Sequence, residues 1–544
     1  MRLDEVTIGE FKNLRDLYVD FDEGTPYTVL VGENGAGKSN LLEALTIIFR
    51  NLDLELKAPF DYALKYVCRD RHIRIEAKKD QFPQFWWRGT AAEDYTELSR
   101  RRFMEEDQQG PLYRPAFVFG YYSGPSDRLS SLYEKHRERY YEEIIKDPAR
   151  RRTTDPNALR RLFYAETLHG QFALIAFFMA PGDEAEVDRQ FLRDHLQIDG
   201  LDSVLFALKR PPWRRKGGDS RFWSAVGEVQ QFLDRLYSEA LLPIRMDRRI
   251  PVDLTKNPDV ESLYLFLSDA EALGRVYQLY GNQYAFFTAL ESTHLSKLLG
   301  EVRTRVRMTE AAGGGEVTYR DLSEGEQQLL LVLGLLKFTA RDEALFLLDE
   351  PDTHLNPAWS TQYLDFLDQF VRGRSSSCHL IMTTHDPLVF SRLERPQVRI
   401  FRRDAEGKAI ADAPLHDPQG MGIQAILASD LFRLPSAGLD PETQEDLAIQ
   451  RGLIVKPDLS AEDEAELRAV TERLNDRGFW KNDRDPIYQI FLQKFLPRWI
   501  MAEKVEWAQR PALTVAQTRE REALADEIAA EVTAELAAER DAVE

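Results

Sequence analysis

The sequence predicts an α/β protein with a P-loop core built on a mixed, mainly parallel sheet, a large and mainly helical insertion, and a helical C-terminal region. Three observations carry this. The first is "GENGAGKS" at 32–39, set between an apolar β-rich run, "YTVLVG", and "SNLLEALTIIF", whose apolar residues recur at helical spacing. The second is a tight alternation of short apolar runs and helical patterns from about residue 315 to about 405. The third is length: 544 residues exceed one ordinary domain, and the stretch between the two core segments is too long for a connection. The expected organisation is a core of residues 1–50 and 315–415, an inserted lobe with β elements and helices at 51–314, and a helical region at 416–544.

Along the chain, "RLDEVTIGEFKNLRDLYVDF" reads as two short strands around a turn, before the strand–loop–helix at 27–49. In the insertion, "HIRIEAK" and "PAFVFGYYSG" read as strands, while "RLSSLYEKHRERYYEEII" and "RRLFYAETLHGQFALIAFFMA" read as helices. "LKRPPWRRKGGDSRFW" is Pro- and Gly-rich and reads as a loop. The second core segment gives "VTYRDLSEGEQQLLLVLGLLKF" as strand, turn and helix, then the buried strand "ALFLLDEP", the helix "STQYLDFLDQFV", and the strands "HLIMTTHDP" and "QVRIFRRD". Short apolar strands separated by helices imply parallel pairing. The C-terminal region opens a helix at Ser460, and Leu524, Ile528, Val532 and Leu536 form a narrow apolar stripe near the end.

The net charge of −20 argues against a surface devoted to nucleic acid, although it leaves room for a local basic groove. The two cysteines, Cys68 and Cys378, lie far apart, so neither a zinc hook nor a disulfide framework is available, and a reducing cytoplasm fits. No apolar run approaches the roughly 18 residues needed to cross a bilayer.

Four segments carry chemistry. In 32–39 the glycines let backbone N–H groups wrap phosphates, and the following helix points its positive end at them. Lys38 supplies a charge for the β- and γ-phosphates, and Ser39 an oxygen for Mg²⁺. The candidate nucleotide ligands here are Asn34, Gly35, Gly37, Lys38, Ser39 and Asn40. "ALFLLDEP" ends an apolar strand in Asp349 and Glu350, and adjacent carboxylates there are costly unless they serve a cation or a water. Asp349 is the candidate Mg²⁺ ligand with Ser39, and Glu350 the general base for attacking water. His385 of "TTHDP" ends a later strand, from which it could sense the γ-phosphate. Ser323 and Gly325 of "DLSEGEQQLL" open a long helix and make a second anion site, more than one nucleotide requires.

The ordered set "GENGAGKSN", "LSEGEQQ", "LFLLDEP", "HLNP" and "TTHD" resembles the ATPase core of the ABC superfamily, in its SMC/RecF/OLD-like branch. "IGEFKNLRDLYVDF" is similar to the opening of that branch and places Lys12 where an arginine often contacts phosphate. "FGYYSGPSDRL", "DLFRLPSAGLDPET" and "RDPIYQIFL" look like stand-alone AAA-type ATPases of prokaryotic anti-phage defence, such as the Septu and retron-associated ATPases. The resemblance implies ATP and Mg²⁺ as cofactors and a head-to-head homodimer sandwiching two ATP, with assembly beyond the dimer open. In it, the phosphate loop, the Asp349–Glu350 pair and His385 of one subunit face Ser323 and Gly325 of the other. It further implies a dimeric switch controlling a partner effector, a nuclease or toxin. Departures are Glu324, where transporters carry glycine, and Asn356, where many members carry aspartate; Gln81 and Gln84 are weak candidates for the Q-loop glutamine.

The chain lacks a nuclease carboxylate cluster after His385, which favours the switch reading. The alternative is a DNA-binding ATPase in repair or replication, in the RecF or SMC manner. Its support is basic character at Arg100–Arg102, Arg150–Arg152 with Arg160 and Arg161, and Lys209–Lys216, where Trp213 could stack a base. Each cluster reads more readily as a solvated face or loop offset by nearby acids. A transporter subunit is excluded by the length of the insertion.

Overall fold

The computed structural model describes residues 1–21, 24–108, 110–146, 161–179, 182–214, 217–249, 258–339, 343–371, 378–434, 440–454, 460–477 and 523–531. The chain divides into two units, Met1–Pro435 and Ser436–Glu544.

The first unit opens with an antiparallel hairpin of β1 (Arg2–Phe11) and β2 (Leu14–Asp20), closed tightly at Lys12, whose φ is 55°. The chain crosses to β3 (Tyr27–Gly32) and α1 (Lys38–Asp53), then returns to the hairpin's sheet. Strands β4 (Tyr62–Cys68), β5 (Arg71–Ala77), β6 (Gln84–Arg88) and β7 (Thr96–Leu98) complete an antiparallel sheet in the order β2-β1-β4-β5-β6-β7. The short α2 (Arg100–Phe103) and a two-rung ladder of β8 (Glu106–Asp107) and β9 (Gly110–Pro111) follow.

Next come β10 (Phe117–Tyr122), α3 (Glu134–Ile144), β11 (Leu162–Tyr164), α4 (Thr167–Phe177) and α5 (Gly182–Leu196). Then follow β12 (Ile198–Lys209), α6 (Gly227–Glu239), β13 (Ile244–Arg249), β14 (Asp259–Leu267), α7 (Ala270–Tyr277), α8 (Gln283–Leu295), β15 (Leu299–Met308) and β16 (Glu316–Thr318). The second core segment holds α9 (Glu324–Thr339), β17 (Ala344–Asp349), α10 (Pro357–Val371), β18 (Cys378–Thr383), β19 (Val398–Arg403), β20 (Ala409–Asp412) and α11 (Ile423–Ala428).

The central sheet runs β11-β10-β17-β18-β3-β19-β20, parallel except for the β19–β20 pair. Every residue of β17 is buried, as a strand covered on both faces requires. Strand alternation divides its side chains between two cores. Leu345 and Leu347 pack with Leu41, Leu45 and Ile48 of α1 and with the antiparallel sheet beyond it. Ala344, Phe346 and Leu348 face the other way, into a core shared with α4, α8 and α9 and with a third sheet, antiparallel β13-β14-β12-β15-β16. Helix α1 is thus clamped between two sheets, which fixes the direction of its N-terminus.

The insertion differs from expectation in what it contributes. Residues 62–98 build most of the antiparallel sheet, β10 and β11 enter the central sheet, and a five-stranded sheet lies beyond, alongside the expected helices. "RRLFYAETLHG" was expected to be helical throughout; its start instead pairs with β10 as β11, and Glu166 caps the helix that follows. The physical reason is an open edge beside β10, whose backbone groups need partners. Residues 416–434, including α11, belong to the first unit.

In the second unit, α12 (Pro441–Ile454) and α13 (Ala461–Asp476) form a pair, joined by Arg473 to Asp446 at 2.6 Å over the buried Leu453, Val470 and Leu474. Ser460 and Asp463 bond reciprocally at the start of α13. Residues 523–531 are helical and bury Ile528; Val532 and Leu536 lie outside the described residues.

Candidate functional site

The site lies where β3, β10, β17 and β18 reach their carboxyl ends, the edge at which open α/β sheets bind ligands. The loop 32–37 leads from β3 into α1. Gly37 adopts φ 115°, and a Cβ there would sit 2.6 Å from Leu14 Cδ2, so only glycine fits. No side chain caps α1 and its first turn carries no acid, which leaves its N–H groups directed at the loop's concavity.

Lys38 is buried, and its Nζ donates to the carbonyls of Gly32 at 2.7 Å and Glu33 at 3.1 Å. Burial lowers its pKa to about 8, opposed by Glu350 and Asp349. Ser39 Oγ donates to Asp349 Oδ1 at 2.9 Å. Asp349 is only 2% exposed; Thr383 Oγ1 donates to the same oxygen at 2.6 Å, and Arg128 Nη2 to Oδ2 at 2.6 Å.

Glu350 has a φ of 53°, a left-handed conformation that costs of order 1–3 kcal/mol for such a residue. Two bonds from its N–H, to Thr383 O at 3.2 Å and Thr383 Oγ1 at 3.0 Å, hold it there. Burial raises its carboxyl pKa, with Asp349 adding to the effect and Lys38 and Arg128 opposing it. His385 Nε2 lies 3.6 Å from Glu350 Oε1; burial, then Lys38, lowers its pKa and favours the neutral ring. Next along, Asp352 is pushed up to about 7 by burial and accepts a hydrogen bond from Thr384.

Lys38, Ser39, Asp349, Glu350 and His385 therefore converge. The Ser39 hydroxyl and the Asp349 carboxylate are hard oxygen donors on one side of the loop. They fit a cation that takes one carboxylate, one hydroxyl and phosphate oxygens and keeps its remaining waters, as Mg²⁺ does.

The other expected residues fare differently. Lys12 is committed to Glu43 of α1, with its amine 5.5 Å from the Phe11 ring centre, so here it neutralises a buried carboxylate instead of reaching the phosphate loop. Asn34 is exposed and lines, with Glu33, His385 and Arg433, a cleft of about 220 Å³. Gly35 offers its carbonyl to Asn13 at 2.7 Å and Arg403 at 2.9 Å, and Asn40 donates to Asn13 Oδ1 at 2.5 Å. Ser323 is exposed, and its N–H and hydroxyl each donate to Glu326 at 2.7 Å. Gly325 is buried against His354, whose carbonyl oxygen would lie 2.5 Å from an added Cβ. Gln328, one turn on, donates to Glu350 O at 3.4 Å and accepts from His354 N at 3.0 Å, linking α9 to the sheet edge that carries Glu350.

Several neighbours were not foreseen. Thr383 stood in plain view in "TTHDP", and parallel register sets it opposite Asp349. Arg128 sits in "FGYYSGPSDRL", where no local spacing announces a partner 221 residues away. Gln81 and Gln84 are exposed on the antiparallel sheet. Trp213 is half-buried and donates its indole N–H to Ser296 O at 2.6 Å, so it packs instead of offering a free stacking face. Arg100 pairs with Glu55 and lies 4.2 Å from the Phe82 ring centre, and Arg161 is paired with Asp53 and Glu106. Arg150–Arg152, Arg160 and part of Lys209–Lys216 lie outside the described residues. Among the described residues, no helix is long and apolar enough to cross a membrane.

Among characterised proteins, the chain is 27% identical over 121 residues to the Septu protein PtuA of Bacillus mycoides (strain KBAB4). That match covers 21% of this chain and 16% of the length of that protein. Among solved structures it is similar to the SMC head domain from Thermotoga maritima, with a TM-score of 0.31 and 12% identity, over 76% of this chain and 99% of that one. An Smc head domain with an extended coiled coil, bound to the C-terminal domain of ScpA derived from Pyrococcus furiosus, gives 0.30 and 13%, over 76% and 96%. Over residues 27–391, two thirds of its length and a span that holds Lys38, Ser39, Asp349, Glu350 and His385, the chain belongs to the family described as "AAA domain, putative AbiEii toxin, Type IV TA system".

Proposed function

We propose that this chain is a Mg²⁺-dependent ATP hydrolase that works as a head-to-head dimer and controls a partner effector, a nuclease or toxin, in a bacterial anti-phage complex in the cytoplasm. The observation that carries the hydrolase reading is the convergence of Lys38, Ser39, Asp349, Glu350 and His385 at one sheet edge. Lys38, gripped by two loop carbonyls, would offer its charge to the β- and γ-phosphates beside the N-terminus of α1. Ser39 and Asp349 would hold Mg²⁺, which when bound would supply positive charge to offset that of the phosphates. Glu350, its pKa raised and its backbone locked, would accept the proton of the attacking water. Neutral His385 beside it would donate a hydrogen bond to the γ-phosphate and hold that water in line.

The dimer reading is supported by the exposed position of Ser323 at the start of α9, where its hydroxyl would be offered to a phosphate held by a second copy of the chain. The defence role rests on the family and on the similarity to PtuA over a short stretch. The test is ATP turnover by the purified chain, with light scattering in ATP and Mg²⁺. No hydrolysis by the wild type, or hydrolysis unaffected by Glu350→Gln, would sink the proposal. Mg²⁺-dependent cleavage of DNA or RNA by the chain alone would overturn the division of labour with an effector.

A further inference from the structure

Arg128 sits in the segment between β10 and a short turn of 3₁₀ helix (Ser130–Tyr133), and no motif assigns it a role. Its Nη2 donates to Asp349 Oδ2 at 2.6 Å, and its guanidinium lies 4.7 Å from the Tyr122 ring centre. Its Nε is 3.9 Å from Glu43 Oε1; both atoms are buried and lack a hydrogen-bond partner. The other Glu43 oxygen takes Lys12. Near the phosphate loop, Glu43 thus meets Lys12 and faces Arg128, Asp349 meets Arg128, and Lys38 acts on both Glu350 and Asp349.

We infer that Arg128 is a positioning residue that holds Asp349 in the metal-free state and gives up that carboxylate when the cation arrives with the triphosphate. A carboxylate as buried as Asp349 needs a positive partner at all times. Arg128 and a divalent cation compete for that place, so metal loading and the position of the 123–129 segment form one linked equilibrium. The segment is tied at its other end: Ser123 N donates to Asp349 O at 3.2 Å, and Ser123 Oγ lies 3.1 Å from Thr353 Oγ1. Release of Arg128 therefore acts on the turn after Glu350.

The inference rests on the ATPase reading, and the experiment separates the two. ATP affinity is measured by calorimetry in excess EDTA and in excess Mg²⁺, for the full-length wild type and for Arg128→Gln. The quantity read is the factor by which Mg²⁺ tightens ATP. In R128Q that factor rises about 5-fold or more, because metal-free binding loses its substitute cation while Mg²⁺ loses a competitor. A merely structural arginine would weaken both arms alike. An unchanged or smaller factor overturns the inference; failure of the wild type to bind ATP in either arm overturns the ATPase reading instead. If R128Q does not fold, the same ratio is read on Tyr122→Leu, which removes the face under the guanidinium. An increase there supports the competition, and no increase ends it.

Discussion

At the end of β3 the phosphate loop leads into buried charge, although Glu33, Asn34 and Gly35 are themselves exposed, whereas at the start of α9 the turn at Ser323 is open. Lys38 is 5% exposed and Asp349 2%, and their polar atoms are bonded inside the protomer. Ser323 is exposed, and the Glu324 side chain beside it is 82% exposed. One place buries charges and balances them; the other presents a helix end whose first turn is capped by reciprocal bonds between Ser323 and Glu326. The difference teaches that the charged groups at the loop are satisfied within one protomer, and on the proposed reading the turn would act on a second one.

The sharpest way to break that comparison is chemistry on the enclosed side. Glu350→Gln should keep ATP affinity, lower kcat on the order of 10²–10⁴-fold, and trap a dimer in ATP. Single-turnover kinetics and light scattering read these outcomes; normal turnover removes Glu350 as general base. Lys38→Ala should weaken ATP on the order of 100-fold or more, since charge-assisted bonds are worth about 1.5–3 kcal/mol each. Calorimetry checks it. On the open side, Ser323→Arg should leave ATP binding by the monomer intact while hydrolysis falls together with the dimer. If S323R still dimerises in ATP, the turn is not the trans contact.

Protonation probes the enclosed side more gently. The Glu350 carboxyl titrates above the ordinary glutamate range, and it must be ionised to act as a base. As pH falls through that raised value, kcat/KM should drop, about tenfold per unit once well below it. Lys38 in the free protein titrates at about 8, and only its protonated form attracts phosphate. As pH rises through 8, kcat/KM should fall again. Lys38→Arg, which stays charged, would remove this alkaline limb from whatever activity remains.

What was legible in the sequence was whatever its neighbours along the chain announce. "GENGAGKS", "LFLLDEP" and "TTHD" are strand ends followed by polar groups, and burial of the strands forces those groups to one edge. Arg128 and Glu43 were not legible, because their partnership depends on β10 lying beside β17, a pairing 227 residues apart in sequence at its first rung. The five-stranded sheet escaped for a related reason. Strand β15, with the alternating "EVRTRVRM", pairs with β12 about a hundred residues away and carries charge on its exposed face. Lys12 shows the reverse case: the resemblance points it at phosphate, while the structure pairs its amine with Glu43, one helical turn past Ser39.

The smallest expected effect lies at the hinge between the two regions. Gly325 is buried in the first turn of α9, and an added Cβ would come 2.5 Å from the His354 carbonyl oxygen, which is backbone and cannot swing aside. Two effects oppose each other in Gly325→Ala. Alanine gains about 0.8–1.0 kcal/mol of helix propensity in a helix interior, and less at an end. Overpacking against fixed backbone costs about 1–3 kcal/mol. The clash wins, so G325A should melt a few degrees lower than the wild type by differential scanning calorimetry. Because Gln328 ties the same turn to Glu350 and His354, the shift of the helix should also reach the catalytic edge. The expected signature is a fall in kcat with ATP affinity retained. A G325A protein that melts at or above the wild-type temperature would mean that α9 moves freely against His354. The open turn and the enclosed loop would then be mechanically independent.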